Sequence, residues 1–294
     1  MGLTLLAYAK INLTLEVLGK RADGYHEIAS VLQTVSLADT LAFELDSRLA
    51  FRCDVPSLQS PDNLVLRAAQ LLREVTGSDK GASIQLTKKI PIASGLGSGA
   101  TDAAATLVGL NRLWELNLPL HRLIELAARL GSDVPFFLYG GTALAKGRGE
   151  KVTPLPPIRE VWLVLLIPAI PPVPNKTAQL YSQLNPFYFT SGQFTQKLVE
   201  HLQKREGINA SLLFNAFEQV AFNFFPRLSD YHSLFLKAGA ESVHLSGAGP
   251  ALFALVQDKA EGEAILSNLV AERVKAFLVN TPGAETSSLW LGDC

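Results

Sequence analysis

The sequence predicts an α+β (mixed α/β) protein of two domains, and three observations predict this class. The chain has 294 residues, which is long enough for two domains of ordinary size. Hydrophobic residues make up 48% and charged residues 18%, so a buried core is available and a disordered chain is excluded. Alternating apolar spacing and helical apolar spacing also follow one another along the chain, which is typical of interleaved strands and helices.

The first half of the chain carries the clearest element signals. Apolar and polar side chains alternate in the first strand candidate, and the start signal Ser-Pro-Asp-Asn at 60–63 precedes a helical apolar pattern. Strands are predicted for residues 3–18, 30–44 and 83–90, and helices for the segment after 60–63 through 72, for 102–114 and for 120–130. Glycines at 140–141 and 147–149 are expected to bound a pair of strands.

Closely spaced prolines at 154–157 indicate a boundary, because proline is unfavourable inside helices and sheets. We therefore predict one domain at 1–155 and a second at 156–294. In the second, residues 161–167 predict a buried strand and 168–174 a proline-rich connection, after which helices and strands alternate.

Charge and composition exclude several classes of protein. The formal net charge is −1 without a basic tract, which argues against nucleic-acid binding. The longest apolar stretch, 161–170, is far shorter than the ~20 residues that span a bilayer. Two distant cysteines, Cys53 and Cys294, offer no metal site and fit a reducing compartment. We expect a cytoplasmic protein, or a plastid form whose targeting segment has been removed, acting as a monomer or weak homodimer.

The most informative segment is the first glycine loop (residues 95–101), which reads Gly-Leu-Gly-Ser-Gly-Ala-Thr. A glycine-rich turn between a strand and a helix presents unpaired amides to an anion, and the helix N-terminus adds a positive dipole. Ser98 and Thr101 offer hydroxyls for phosphate or magnesium. The loop lacks the Gly-Lys-Ser/Thr ending of a P-loop and does not match Gly-x-Gly-x-x-Gly. The alternative is a tight turn, and alone the loop favours phosphate binding only modestly over it.

Three other features can be interpreted in two ways. Lys10 and Asn12 share one face of a strand, which is typical either of a solvated face or of a cleft that binds an alcohol or phosphoryl group. Asp133 can cap a turn or accept a hydroxyl proton beside Lys10. The second glycine loop (residues 246–250) either joins two strands or lets the backbone pass close to the first loop or to the substrate.

In this order, these features resemble the GHMP kinases, a family that includes galactokinase, homoserine kinase and mevalonate kinase. The matching segments are Ala-Lys-Ile-Asn at 9–12, the run from Pro91 to Thr101, and Ser-Gly-Ala-Gly-Pro at 246–250. A narrower resemblance is to family members that phosphorylate a cytidylyl polyol. Its most specific part is Asp-Gly-Tyr-His-Glu at 23–27.

The resemblance implies a two-domain GHMP kinase fold with the active site in the cleft between the domains, and ATP and Mg²⁺ as cofactors. It makes Asp133 the catalytic base and Lys10 the lysine that contacts this carboxylate and the reacting oxygens. It places Tyr25 on the cytosine by stacking and His26 at its edge by hydrogen bonding. Further substrate contacts are implied for Asn12, Thr177 and Tyr181. Contacts to ATP are implied for Pro91, Gly95, Leu96, Gly97, Ser98, Gly99, Ala100, Thr101 and, beside the adenine, Asn63, with Ser98 or Thr101 at the metal.

The sequence departs from the family pattern within the first glycine loop, where Ala100 replaces a serine and Ser98 replaces a glycine. This leaves the choice of metal-binding hydroxyl open. A homoserine or mevalonate type of GHMP kinase is one alternative, although it has no reason to keep Tyr25 and His26. A catalytically silent binding protein is another, against which the retention of Lys10 and Asp133 argues. An oxidoreductase lacks its dinucleotide motif.

Overall fold

The computed structural model describes residues 2–283 and 288–289, so Cys294 lies outside the described residues. The first half contains β1 (Gly2–Lys20), β2 (His26–Asp46), β3 (Leu49–Cys53), α1 (Leu64–Thr76), β4 (Gly81–Thr87), α2 (Ser98–Leu113), α3 (Leu120–Leu130), α4 (Val134–Tyr139), β5 (Thr142–Gly147) and β6 (Lys151–Pro154). The second half contains β7 (Trp162–Ile167), α5 (Lys176–Gln183), α6 (Gln193–Gln203), β8 (Phe214–Asn215), α7 (Glu218–Phe224), α8 (Leu228–Lys237), β9 (His244–Leu245), β10 (Leu252–Val256), α9 (Lys259–Ala271) and β11 (Lys275–Asn280).

These elements form two sheets, which confirms the predicted mixture of helices and strands. The larger sheet has the order β3-β4-β2-β1-β8, and β5 extends it by pairing with both β2 and β6. Its centre is the long antiparallel pair β1–β2, and β8 adds to β1 in parallel. The smaller sheet has the order β11-β7-β10-β9. None of the helices formed by the described residues combines the length and the apolar character that crossing a membrane requires.

A shared apolar cluster fixes β1 against the smaller sheet. Ile11 and Leu13 of β1 pack with Leu163 and Leu165 of β7 and Phe253 of β10, and each of these side chains is at most 1% exposed. Burying one such side chain contributes about 1.5–3 kcal/mol. Because alternate residues of a strand face opposite sides, this packing turns the intervening polar residues of β1 away from the cluster.

Most predicted elements are confirmed, and the departures have local causes. The strand predicted for 83–90 ends at Thr87, because the amides of Lys89 and Ile90 donate to the Asp39 carboxylate instead of to a neighbouring strand. The helix predicted for 102–114 begins earlier, at Ser98, because Gly97 already acts as its N-cap. The short helix α4 was not predicted.

Candidate active site

A cleft of about 1190 Å³ is lined by residues from both halves of the chain. The wall includes parts of the first glycine loop, the second glycine loop, β1, the turn between β1 and β2, and the N-terminal end of α5. Most of the predicted site residues meet here. Those on the wall are Lys10, Asn12, Tyr25, His26, Asn63, Gly95, Gly97, Ser98, Gly99, Ala100, Asp133, Thr177 and Tyr181.

The first glycine loop is held by contacts that leave no room for side chains. Gly95 has φ +94°, and a Cβ there would overlap the carbonyl oxygen of Ser246 in the second glycine loop and lie 3.0 Å from the Gly249 nitrogen. The Lys10 amide donates to the Leu96 carbonyl at 3.0 Å, and the Ala251 amide donates to the Ser94 carbonyl at 2.9 Å. Both interpretations that the sequence left open for the second glycine loop are therefore confirmed, because it joins β9 to β10 and its backbone passes close to the first loop.

Helix α2 begins inside this loop and points its N-terminus toward the cleft. Gly97, in the left-handed region with φ +78°, is the N-cap and gives no side-chain cap to the helix. The first amides of a helix have no partner within the helix, and they carry its positive dipole end. Ser98, Gly99 and Ala100 of this turn line the cleft. The arrangement is a phosphate-binding cradle of backbone amides.

The polar residues of β1 stand at the centre of the wall. The Lys10 Nζ lies 3.5 Å from the Asp133 Oδ2 and donates to the Asn12 Oδ1 at 2.6 Å. The Asn12 amide in turn donates to the Ser30 Oγ at 2.8 Å. The Lys10 side chain is 4% exposed, whereas Asp133 is 44% exposed and open to the cleft. A buried ammonium thus holds an accessible carboxylate at the position where a hydroxyl group could donate its proton.

A buried charged cluster contacts the first glycine loop at Ser98. Lys88 Nζ donates to the Asp39 carboxylate, to Ser98 Oγ at 2.6 Å and to Asp102 Oδ2 at 2.7 Å. Burial raises the pKa of Asp102 while Lys88 opposes the rise. The other oxygen of Asp102, Oδ1, is buried and has no hydrogen-bond partner in the described part of the chain. This cluster fixes where the Ser98 hydroxyl lies.

Aromatic side chains line the opposite end of the cleft. The His26 and Tyr181 rings stack, with centroids 4.6 Å apart and planes 10° from parallel, and Phe217 meets the edge of Tyr181 at 4.8 Å. Tyr25 is 53% exposed, and the Arg148 guanidinium lies 4.6 Å from its ring centroid. Burial lowers the pKa of His26, as does the nearby Lys20. A neutral imidazole offers one donor and one acceptor to a polar ring.

Three predicted residues do not line the cleft. Leu96 is fully buried, and neither Leu96 nor Pro91 is among the residues that line the cleft. Thr101 is also fully buried, and its hydroxyl has no partner among the described residues. Of the two hydroxyls predicted for the metal, the one on the wall is Ser98. Asn63 does line the cleft, but its side chain already caps α1 by accepting the Val65 amide at 2.9 Å.

Sequence reasoning did not assign four cations of the cleft, namely Lys20, Lys88, Arg148 and Lys176. Lys88 had no clear signal, because its partners Asp39 and Asp102 are distant from it in the chain. Arg148 lies between Gly147 and Gly149, where the sequence suggested only a turn. Lys176 had no signal of its own, since its contacts come from loops distant in the chain.

Comparison with known proteins agrees with this arrangement. The chain matches the GHMP kinases N terminal domain over residues 63–141 and the GHMP kinases C terminal domain over residues 197–276. A homoserine kinase from Cytophaga hutchinsonii shares the fold, with 19% identity, a TM-score of 0.68 and coverage of 96% of this chain and 95% of that one. The fold and the cleft together define a small-molecule kinase.

Relatives with much higher sequence identity indicate which kind of small-molecule kinase this chain is. A Dehalococcoides mccartyi protein, 48% identical and covering 96% of this chain and 99% of its own, is named 4-diphosphocytidyl-2-C-methyl-D-erythritol kinase. A Gloeobacter violaceus protein of the same name is 41% identical, covering 91% of this chain and 90% of its own. A crystal structure of 4-(cytidine 5'-diphospho)-2C-methyl-D-erythritol kinase superposes with a TM-score of 0.81 at 34% identity, over 96% of this chain and 100% of that one. The chain belongs to the GHMP kinase family and, within it, to the 4-diphosphocytidyl-2-C-methyl-D-erythritol kinases.

Proposed function

We propose that the protein transfers the γ-phosphoryl group of ATP to the 2-hydroxyl of 4-diphosphocytidyl-2-C-methyl-D-erythritol, giving its 2-phosphate in the non-mevalonate pathway of isoprenoid synthesis. The observation that carries the proposal is the 3.5 Å pair of Lys10 and Asp133, which lies between the first glycine loop and the aromatic end of one cleft.

Asp133 accepts the proton of the attacking hydroxyl, and Lys10 neutralises charge on the reacting oxygens. Asn12 orients the Lys10 ammonium through its 2.6 Å hydrogen bond. Phosphoryl transfer demands mostly positioning and charge neutralisation, because its transition state is loose. The buried setting of Lys10 serves this demand, since its side chain has little freedom to move.

The acceptor is recognised at the aromatic end. Tyr25, which is half exposed, offers a ring face for cytosine, and the neutral His26 offers a donor and an acceptor for the polar edge of the base. Tyr181 provides the second ring and Thr177 a hydroxyl one helical turn earlier on α5. A homoserine or mevalonate substrate has no flat base to use this end of the cleft.

The nucleotide phosphates fit the first glycine loop, because α2 begins there without a side-chain cap and its first amides are available to an anion. Magnesium would be held by Ser98, whose hydroxyl is on the wall, and by the unpartnered Oδ1 of Asp102. Oxygen donors of this kind suit Mg²⁺. When bound, the ion would neutralise charge on the nucleotide phosphates. Asn63 would lie beside the adenine.

Four broader expectations belong to the same proposal. The protein acts in the cytoplasm, as a monomer or weak homodimer, and without a nucleic-acid partner. Its two domains meet near residue 155 and contribute the two sides of the cleft. The net charge of −1 argues against a nucleic-acid partner, the free Cys53 fits the cytoplasm, and the segment without helix or strand at 155–161 supports the division into domains.

The deciding assay measures ADP release with the cytidylyl acceptor, with homoserine and with mevalonate as separate acceptors. We expect turnover with the first alone; turnover only with either of the others would overturn the proposed acceptor. Asp133→Ala should still bind ATP and acceptor in calorimetry while turnover falls by about 10²–10⁴-fold. If that variant keeps its turnover, Asp133 is not the base. Absence of turnover in the unchanged protein, with ligands bound, would support the silent binding protein instead.

A further inference from the structure

Lys176 joins three separate parts of the cleft through one side chain. It is the first residue of α5, and its Nζ donates to the Ala93 carbonyl at 2.8 Å and to the Gly249 carbonyl. Ala93 lies just before the first glycine loop, and Gly249 lies in the second. Hydrogen bonds from a charged donor are roughly twice as strong as neutral ones. The side chain therefore ties the beginning of α5 to both glycine loops.

Helix α5 belongs to the acceptor end of the cleft. Thr177 follows Lys176 directly, and Tyr181, one turn further along, stacks on His26 at 4.6 Å. The glycine loops belong to the nucleotide end. A ligand that orders the loops will consequently hold the Ala93 and Gly249 carbonyls, and with them Lys176 and α5, in one arrangement.

The charge of Lys176 has no counter-ion in the described part of the chain. No carboxylate pairs with it there, and the segments 92–99 and 246–250 that surround it contain no titratable side chain. The charged group that faces it is the Lys10 ammonium on β1, which is itself paired with Asp133. Two ammonium groups in one cleft favour an anionic ligand between them, because the ligand removes their mutual repulsion.

We propose that Lys176 is a positioning residue that couples the nucleotide end of the cleft to the acceptor end and supplies a positive charge for the anionic ligands held there. The inference rests on the proposed function, because it assumes that both ligands occupy this cleft. The proposal requires two properties of ligand binding. The two ligands bind more tightly together than separately, and that mutual gain depends on the Lys176 side chain.

The first test measures the affinity of a non-hydrolysable ATP analogue with and without the cytidylyl acceptor, by calorimetry. We expect Lys176→Met to reduce the mutual gain about tenfold, Lys176→Arg to retain most of it, and Lys197→Met, which removes an exposed lysine of α6, to leave it unchanged. Thermal unfolding shows whether each variant is folded. The proposal is wrong if folded Lys176→Met keeps the full mutual gain in affinity. It is also wrong if this variant lowers the affinity for one ligand while the mutual gain stays the same.

The second test uses pH and the ATP analogue alone. Burial, with a smaller contribution from Lys10, lowers the pKa of Lys176 to about 8. As the pH rises through this value the ammonium loses its proton, so the affinity for the analogue should fall about tenfold between about pH 7.5 and 9. Lys176→Arg stays charged and should show no such fall, whereas Lys176→Met should be weaker and flat.

Identical pH curves for the original protein and Lys176→Arg would overturn the role of the charge. The two proposals can fail separately. Absence of turnover with the cytidylyl acceptor contradicts the proposed function, whereas the pH dependence of analogue binding tests Lys176 without any acceptor.

Discussion

Replacing Gly95 with alanine tests how tightly the two glycine loops must approach. The new Cβ would overlap the Ser246 carbonyl oxygen, lying roughly 1.3 Å closer to it than the ordinary ~3.5 Å separation, and Gly249 atoms lie at 3.0 and 3.1 Å. The left-handed φ of +94° adds about 1–2 kcal/mol. Because backbone atoms surround the site, the overlap can be relieved only by moving one loop. A displacement of about 1 Å near reacting groups costs roughly 10²-fold in rate.

We therefore expect Gly95→Ala to lower kcat/KM about 10²-fold in the ADP-release assay and to lower the Tm by several degrees. The matched control is Gly77→Ala at the end of α1, which has a similar left-handed φ of +67° but open space around its Cβ. The control should lose only stability, by about 1 kcal/mol or slightly more. If Gly95→Ala retains kcat/KM within about threefold, the close approach of the loops does not position the reacting groups.

Two further predictions concern the acceptor end and a buried carboxyl group. Tyr25→Ala should raise KM for the cytidylyl acceptor by about tenfold while KM for ATP stays constant, because stacking on an aromatic ring contributes roughly 1–3 kcal/mol; equal changes in both would contradict the assignment. Burial raises the pKa of Glu218 from 4.5 to about 7, against the opposing hydrogen bond from the Leu245 amide. A raised acid pKa favours the folded state below pH 4.5, and this contribution is lost as the pH rises to about 7. The free energy of unfolding of Glu218→Gln, relative to that of the original protein, should therefore rise by up to about 3 kcal/mol from pH 5 to pH 8. Urea unfolding of both proteins at both pH values measures this change. If the difference between the two proteins is the same at pH 5 and pH 8, the pKa of Glu218 is not raised.

Sequence periodicity predicted the elements whose patterns are long and local. The helix α3 has the predicted bounds, and the first strand lies where alternation indicated it. Periodicity did not indicate α4, because six residues with a proline at the second position make less than two helical turns. It also placed the end of β4 three residues too late. The cause is Asp39, a residue distant in sequence that binds the amides of Lys89 and Ile90.

The candidate site likewise contains residues that the sequence could identify and contacts that it could not. Single residues such as Lys10, Asp133 and His26 could be chosen from sequence, because a resemblance to known motifs assigns residues one at a time. Their roles stay predictions. The charged cluster around Lys88 and the contacts of Lys176 could not be chosen, since both depend on backbone or side-chain atoms from segments far apart in the chain.

The pairing of β8 with β1 has a consequence for how the chain acquires its structure during synthesis. Residues 214–215 complete the edge of a sheet whose other members are all made before residue 155. Until the ribosome has released that segment, β1 presents unsatisfied backbone groups at 14–15. The nascent N-terminal half thus carries an unprotected strand edge beside Lys10. Asn215 covers this edge and at the same time holds the second glycine loop by donating to the Leu245 and Gly247 carbonyls. Protection from aggregation and assembly of the catalytic cleft are therefore achieved by the same late event.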